Sequence, residues 1–431
     1  MSPVTDFDLS ARARQAEIYR NGVFGERPKV PTNFADLERA AHVAMSDRAW
    51  AYVAGGAGDG HTMKANRQAI DRWAIVPRML RDVSSRGLSI ELFGDRLSAP
   101  VLLAPIGAAD VVCSDPDIKT GEAAAAVGVP YIFSSQGCNP MEPVAAAMES
   151  VRPGAPRWFQ LYWSKDDALT DSFINRAESM GASALVLTLD TTQLGWRPQD
   201  LNLGSLPFTQ GEGIAQYTSD KRFGELVAQH IRDARKQDVR VTFEAIKSLA
   251  SMARHYPGDL VRNLVAAEPR AAVETFLDVF SRQSLNWDDV DLLRNKTSLP
   301  IVLKGILHPD DARRAVDAGV DGIIVSNHGG RQIDGSIGTF DALPEVVEAV
   351  VGRAKVLVDS GIRSGSDVFK ALALGADAVC LGRPYIYGMA LDGRTGITDV
   401  LRNIIAEFDL TLGLAGYTSP SEVDGSAIRR I

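Results

Sequence analysis

The stretch 301–383 decides the fold, because four short apolar runs follow one another there. They are IVLKG (301–305), GIIVSNH (322–328), KVLVDSG (355–361) and AVCLGR (378–383). Each run is apolar almost to its end and then stops at glycine or a polar residue, which is typical of parallel strands buried on both faces. Segments with helical periodicity lie between them, among them 309–316 and 367–374, the latter followed by Gly375 as a helix stop.

Four similar runs precede this stretch. They are VLLAPIG (101–107), YIFSSQ (131–136), WFQLY (158–162) and ALVLTLD (184–190). The eight runs start 30, 27, 26, 117, 21, 33 and 23 residues apart, and six of these seven spacings suit one strand–helix unit. Eight such units predict an α/β fold of the TIM (β/α)8 barrel type.

The one long spacing predicts an insertion after the fourth strand. We expect residues 1–98 to form a helical extension, with a helix at 33–45, and residues 99–431 to form the barrel, with 198–286 as an inserted loop or lid. Within the insertion, the charged run 221–240 is interpreted as a solvated helix face, and 241–255 is predicted to be helical. The glycine-rich GGAGDG (55–60) follows no strand and precedes no Lys-Ser/Thr pair, so it is predicted to be a turn.

Composition excludes several classes of protein. The 46 Lys and Arg against 54 Asp and Glu give a net charge of −8, which disfavours a nucleic-acid partner. Three distant cysteines (Cys113, Cys138 and Cys380) exclude a disulfide framework and favour a reducing cytoplasm. No apolar run reaches about 18 residues, and the first residues lack a signal-peptide core, so we expect a soluble cytoplasmic protein without a membrane span.

Polar residues cluster where the predicted strands end, and strand ends form the active-site rim of this fold. His328 should share that rim with Asp190, Lys304 and Arg331, which offers a base beside fixed cations. Separately, DSGIRSG (359–365) and GRP (382–384) combine glycines with arginines, as phosphate pockets do. Without HxxH or HExxH spacing or acidic clusters, no metal site is expected.

Less specific explanations exist for each of these residues. The glycines could merely cap short turns, and Lys304 could be a lysine of the barrel core. Tyr162 could be a packing residue, and Arg197 a surface cation. Gln160 and Thr188 could simply satisfy buried backbone groups.

Five separated motifs resemble one known family, the FMN-dependent L-2-hydroxy acid oxidases and dehydrogenases. They are QLY (160–162), LTLDT (187–191), SNHGGRQ (326–332), DSGIRSG (359–365) and LGRP (381–384). The resemblance runs from about Ala35 to Val423 and is interrupted only by the insertion. Within the family the chain is most similar to the lactate 2-monooxygenases, through YVAGGAGD (52–59), LLAPIG (102–107), LGWRP (194–198) and the stretch 303–323.

The resemblance implies a set of site residues and a homo-oligomer of four or eight subunits. The expected FMN contacts are Pro105, Ile106, Gly107, Ser134, Gln160, Thr188, Lys304, Ser326, Asp359, Ser360, Gly361, Ile362, Arg363, Gly382 and Arg383. The expected substrate contacts are Tyr52, Tyr162, Arg197, His328 and Arg331. The expected catalytic residues are His328 as base, Asp190 as its partner, and Tyr52.

The implied reaction is oxidation of L-lactate by dioxygen to acetate, carbon dioxide and water, with the insertion retaining the keto acid as a lid. The alternative is an oxidase that releases keto acid and hydrogen peroxide, with lactate or a larger hydroxy acid as substrate. A quinone- or cytochrome-linked dehydrogenase, a Schiff-base aldolase at Lys304 and an inactive binding barrel are further alternatives. Relatives tend to carry larger apolar residues at Thr192 and Gln193 and often alanine at Gly107, so these positions are expected to affect pocket shape and oxygen access.

Overall fold

The computed structural model describes residues 7–233 and 242–431. Residues 7–98 contain four helices and three short strands and lead into the barrel. Three of the early helices begin at side-chain caps, where the oxygens of Ser10, Asn33 and Ser46 accept backbone N–H bonds. The elements of this part are α1 (Ala11–Val23), α2 (Phe34–Ala44), α3 (Asp47–Ala54), α4 (His61–Asp71), β1 (Trp73–Ile75), β2 (Ile90–Leu92) and β3 (Asp95–Leu97). The helix predicted at 33–45 is confirmed as α2, and the turn predicted at 55–60 joins α3 to α4.

Eight parallel strands close into a barrel within the described residues, which confirms the predicted TIM barrel. They are β4 (Val101–Leu103), β5 (Tyr131–Ser134), β6 (Arg157–Leu161), β7 (Leu185–Thr188), β8 (Ile301–Ile306), β9 (Gly322–Val325), β10 (Lys355–Val358) and β11 (Ala378–Leu381). Each coincides with one of the eight predicted apolar runs. Nearly all of their side chains are buried, because the barrel interior covers one face and the outer helices cover the other.

The remaining helices surround the barrel or belong to the long segment after β7. In chain order they are α5 (Pro116–Val127), α6 (Met141–Val151), α7 (Asp167–Ser179), α8 (Pro198–Leu203), α9 (Ala215–Thr218), α10 (Lys221–Asp233), α11 (Phe243–His255), α12 (Leu260–Val265), α13 (Glu268–Val279), α14 (Trp287–Arg294), α15 (Pro309–Asp317), α16 (Thr339–Val350), α17 (Gly365–Ala373) and α18 (Arg383–Leu414). The last strand, β12 (Ile428–Arg430), pairs antiparallel with β1. The backbone of α18 leaves the helical conformation at Asp392 and Gly393.

The segment between β7 and α14 packs through aromatic residues that continue the core of the barrel, where Tyr217 contacts Phe173 of α7. Phe208, Tyr217, Phe223 and Phe276 are buried, and Tyr217 contacts Phe276 edge-on with 4.8 Å between ring centroids. Helix α10 presents its charges outward, in agreement with the solvated face predicted there, and α11 confirms the helix predicted near 241–255. The rest of the charged run, 234–240, and residue 241 lie outside the described residues.

Two absences concern only residues 7–233 and 242–431. No helix in these ranges combines the length and apolar character needed to cross a membrane. All three cysteines are free thiols.

Candidate active site

A deep cavity opens at the carboxyl ends of the barrel strands. Its empty space, counted out into the open mouth and the solvent there, is about 1480 Å³. Strand ends form its floor, α3 and α4 contribute one side, and the segment after β7 contributes the other. The site is therefore built from parts of the chain far apart in sequence.

His328 and Asp190 form a hydrogen-bonded pair at the floor of the cavity. His328 follows β9 with its backbone in the left-handed region, at φ 57°, and its N–H donates to Ser326 Oγ at 3.0 Å. Its Nδ1 lies 2.8 Å from Asp190 Oδ1, and Thr191 Oγ1 donates to the same carboxylate oxygen at 2.9 Å. The carboxylate thus fixes the orientation of the imidazole ring.

Burial and the neighbouring charges determine the protonation states of His328 and Asp190. Burial alone would raise the pKa of Asp190, but Lys304 and His328 outweigh it and lower that pKa well below its usual range. Burial lowers the pKa of His328, and the partial compensation by Asp190 does not cancel that effect. The expected state at neutral pH is a carboxylate accepting from Nδ1–H, with a free lone pair on Nε2, which is the state of a general base.

Two arginines, the buried Arg197 and the half-buried Arg331, lie together beside this base. Arg331 Nη1 donates to the carbonyl oxygens of Tyr52 and Gly55 at 2.5 and 2.9 Å, and Arg197 Nε donates to the Arg331 carbonyl at 3.2 Å. Burial, followed by repulsion from Arg197, lowers the pKa of Arg331 to about 9. Two cations that repel each other in a buried site favour an anionic ligand such as a carboxylate.

Two tyrosines line the same space. Tyr52 donates its hydroxyl proton to the Gly107 carbonyl at 3.2 Å, and burial raises its pKa to about 12. Burial and the neighbouring Asp190 carboxylate raise the pKa of Tyr162. Both phenols therefore remain protonated and can donate hydrogen bonds.

Buried polar atoms below the cavity fit a flavin ring. Gln160 Oε1 accepts from Ser134 Oγ at 3.3 Å. Gln160 Nε2 and Thr188 Oγ1 are buried without a hydrogen-bond partner among the described residues. Leaving such a group unsatisfied costs about 1–3 kcal/mol, so a bound ring with polar edge atoms accounts for both.

Lys304 supplies a fixed positive charge beside these atoms. Its Nζ donates to Ser326 Oγ at 3.0 Å and lies 3.4 Å from Asp359 Oδ2. Burial would lower its pKa, but Asp359 and Asp190 outweigh burial and raise it. Lys304 is consequently a persistent cation.

The expected phosphate end of the cavity lies after β10 and β11. Ser360 and Gly361 take left-handed φ values of 74° and 96°, which turns the backbone sharply after Asp359. Arg363 lies over the ring of Phe34, 4.2 Å from its centroid. Arg383 donates to the carbonyl oxygens of three residues, Val53 at 3.1 Å and Gly55 and Gly329 at 3.0 Å.

The sequence-predicted residues gather at this one cavity. Those that line it are Tyr52, Pro105, Ile106, Gly107, Tyr162, Arg197, Lys304, His328, Arg331, Asp359, Ser360, Gly361, Ile362, Arg363, Gly382 and Arg383. Ser134, Gln160, Thr188 and Ser326 are buried at strand ends below it, and Asp190 lies behind His328.

One expectation about pocket shape was wrong. Thr191 and Leu194 line the cavity, whereas Gln193 is exposed and Thr192 lies outside the lining. The loop turns between Thr191 and Leu194, so the two intervening side chains leave the cavity. Gly107 lines the cavity as expected, and a Cβ there would lie 2.7 Å from Gln136 Cβ, which explains a residue without a side chain.

Sequence reasoning missed two features of the site. The first is an apolar wall of the cavity, formed by Leu194, Leu206, Phe208, Leu277 and Phe280. The second is Gln332, which connects the loops after β7 and β9. Gln332 stands inside the SNHGGRQ motif, which was the only available signal, while the wall depends on tertiary contacts of the insertion.

Comparison with known proteins identifies relatives along nearly the whole chain. Residues 41–430 match the family model described as FMN-dependent dehydrogenase. The L-lactate oxidase of Lysinibacillus sphaericus is 41% identical over 389 residues, covering 90% of each chain. The FMN-dependent alpha-hydroxy acid dehydrogenase qulF of Penicillium citrinum is 38% identical over 418 residues, covering 97% of this chain and 95% of its own. A crystal structure of mandelate oxidase superposes with a TM-score of 0.73 at 33% identity, covering 93% of this chain and 98% of its own.

Proposed function

Since this chain belongs to the FMN-dependent dehydrogenase family, we propose that it oxidises an L-2-hydroxy acid with dioxygen as the electron acceptor. The observation that carries the proposal is the neutral base His328 beside two cations, Arg197 and Arg331, in one cavity. A 2-hydroxy carboxylate needs a cationic site for its carboxylate and a base for its proton, and the cavity contains both groups.

The residues divide the work by their chemistry. Arg197 and Arg331 bind the carboxylate, and the protonated hydroxyls of Tyr52 and Tyr162 donate to the substrate. His328 Nε2 takes a proton from the substrate, and Asp190 stabilises the resulting imidazolium.

FMN, when bound, supplies the acceptor for the two electrons that leave the substrate carbon. Gln160, Thr188 and Ser134 would donate to or accept from its ring, and Lys304 would place positive charge beside it. Residues 359–363 together with Gly382 and Arg383 would bind its phosphate, through backbone N–H groups and arginine.

L-Lactate is the substrate that we propose first, with oxidative decarboxylation to acetate, carbon dioxide and water. This outcome requires that pyruvate and peroxide stay together until they react, which favours a covered cavity. The apolar wall, contributed largely by the insertion, supports such a cover. The likeness to an L-lactate oxidase supports the substrate but equally suits release of pyruvate and peroxide.

A second candidate is an oxidase for a larger 2-hydroxy acid. The two phenylalanines and three leucines of the apolar wall favour a bulky apolar substituent over the methyl group of lactate. The mandelate oxidase structures among the relatives support the same substrate class.

A Schiff-base aldolase at Lys304 is disfavoured. An amine attacks a carbonyl only when it is deprotonated, and Asp359 and Asp190 stabilise the cationic form of Lys304. The expected homo-oligomer of four or eight subunits remains a proposal, to be checked by the native mass in solution.

The decisive experiment is anaerobic spectroscopy of the FMN-loaded protein with L-lactate, L-mandelate and a longer aliphatic 2-hydroxy acid. Bleaching of the flavin absorbance by any of them supports the proposal, and the fastest identifies the substituent class. Admission of oxygen then separates acetate with carbon dioxide from keto acid with peroxide. A flavin that none of these acids bleaches would contradict the proposal.

A further inference from the structure

The geometry points to Gln332 as a positioning residue for the carboxylate-binding cation and for the partner of the base. Gln332 follows directly after Arg331, yet it lies outside the cavity lining in the described part of the chain. All four hydrogen bonds of its side-chain amide go to one segment, residues 190–197, which carries both Asp190 and Arg197. The inference rests on the proposed function.

Both ends of the amide are used. Its Nε2 donates to the carbonyl oxygens of Asp190 at 2.7 Å and Gln193 at 2.9 Å. Its Oε1 accepts from Gly195 N at 3.3 Å and from Arg197 Nη2 at 3.1 Å. One side chain thus fixes the start of the segment, its middle and its functional end.

The two loops also approach closely through their backbones. A Cβ on Gly195 would lie 2.4 Å from the Arg331 carbonyl oxygen and 2.9 Å from Gln332 Cα. Arg197 Nε donates to that same carbonyl at 3.2 Å. The amide of Gln332 therefore sets where the Arg197 guanidinium stands relative to Arg331.

This arrangement has a chemical consequence. An arginine binds a planar carboxylate well only when its donors are held in the right plane, and a general base needs its partner at fixed distance. The four hydrogen bonds of the Gln332 amide restrict the positions of Arg197 and Asp190 together, without contact between Gln332 and the ligand. Loss of the amide should loosen ligand binding more than it slows the chemical step.

The test compares FMN-loaded wild type with Gln332→Met, which has similar volume and no amide. In Gln332→Met we expect the KM for the substrate and the Kd for oxalate to rise about tenfold, because hydrogen bonds to a charged group are lost. We expect kcat to fall by a smaller factor. Oxalate is the probe because it has two carboxylates and no oxidisable C–H bond. Amide hydrogen exchange in peptides spanning 190–198 should also accelerate.

Gln332→Glu is the second variant, and it tests the same inference if Gln332→Met does not fold. Its carboxylate can accept from Gly195 and Arg197 but cannot donate to the two carbonyls, and it offsets the charge of Arg197. We expect oxalate affinity to fall at least as much as in Gln332→Met. Gln229→Met, at an exposed glutamine of α10 that does not line the cavity, is the matched control and should leave all values unchanged.

The outcomes are distinguishable. Unchanged oxalate Kd and unchanged exchange at 190–198 would overturn the inference. A lower Tm with unchanged oxalate Kd would also overturn it, because Gln332 would then be merely structural. If no hydroxy acid reduces the wild-type flavin, the proposed function fails, while oxalate binding and exchange still decide the role of Gln332.

Discussion

His328 occupies a backbone conformation that residues with a Cβ rarely adopt. Its φ of 57° is followed by left-handed Gly329 and Gly330, and Ser360 nearby has φ 74°. The cost is offset locally, since Ser326 Oγ accepts the N–H of His328 and Ser360 Oγ accepts that of Gly329 at 2.9 Å. The turn aims the imidazole at Asp190, in keeping with the tendency of such strain to occur at functional sites.

Replacing His328 by glutamine should slow reduction of the flavin strongly while FMN stays bound. Glutamine has similar size but no basic nitrogen, and loss of a general base costs about 10²–10⁴-fold in rate. Stopped-flow bleaching under anaerobic conditions measures the effect. His42→Gln is the control, because His42 lies in α2 outside the cavity lining, where its ring stacks on Trp50. A His328→Gln enzyme that bleaches at the wild-type rate would remove His328 from the reaction.

The pH dependence follows from the same pair. Burial lowers the pKa of His328 below its ordinary value of about 6.5, so kcat/KM should fall only as the pH drops through that lowered value and the base becomes protonated. Asp190→Asn removes the charge that partly offsets burial, so the acid limb should move to still lower pH. The maximal rate should nevertheless drop, because the imidazolium loses its counter-ion. An acid limb that moves upward in Asp190→Asn would contradict this assignment.

At the scale of elements, helix α4 depends on a residue far away in sequence. Its N-terminus follows Gly60, which offers no side-chain cap. Asp334, in the loop after β9, accepts instead from the N–H groups of Asp59 at 2.8 Å and Thr62 at 3.0 Å. The loop that carries His328 and Arg331 is thereby joined to the N-terminal extension.

Helices α17 and α18 touch through Gly365. A Cβ at this position would lie 2.1 Å from the backbone nitrogen of Phe408 and 2.5 Å from the backbone carbon of Glu407. Gly365→Ala should therefore destabilise the protein by about 1–3 kcal/mol, as overpacked sites do. Thermal unfolding measures this as a lower Tm.

Gly22→Ala in α1 is the control, because no atom lies within 4 Å of its Cβ position. Alanine is also the better helix former, so this variant should match or exceed the wild-type Tm. Equal Tm values for the two variants would show that the α17–α18 contact adjusts freely.

At the scale of the whole molecule, the cavity has a floor from the barrel and an apolar wall largely from the insertion. The insertion cannot simply be removed, because Phe208, Tyr217 and Phe276 are buried in it. The proposed retention of pyruvate and peroxide is therefore better tested by opening the wall at one residue.

Phe280→Ala should raise the hydrogen peroxide and pyruvate released per lactate consumed and lower the acetate. The reason is that a smaller side chain opens an escape path beside the substrate. Quantifying peroxide and acetate in the same reaction measures the partition. Phe243→Ala, also in the insertion but with Phe243 70% exposed, is the control. An unchanged product ratio in Phe280→Ala would contradict retention by the wall.

The sequence by itself was sufficient for the barrel and for the group of polar residues on its rim. A strand in such a barrel is an apolar run of a few residues, and that signal is local. Once the strands are known, closure of the barrel brings their carboxyl ends together. The proximity of His328, Asp190 and Lys304 therefore follows from their positions at strand ends. The family resemblance was sufficient to identify FMN.

Only the tertiary structure decided how the loops meet. Arg383 bonding to the Gly55 carbonyl, Gln332 spanning the loops after β7 and β9, and the apolar wall all join segments far apart in sequence. The error at Thr192 and Gln193 has the same origin. Side-chain direction alternates predictably along a strand, but in a loop it depends on the partners that the folded chain supplies.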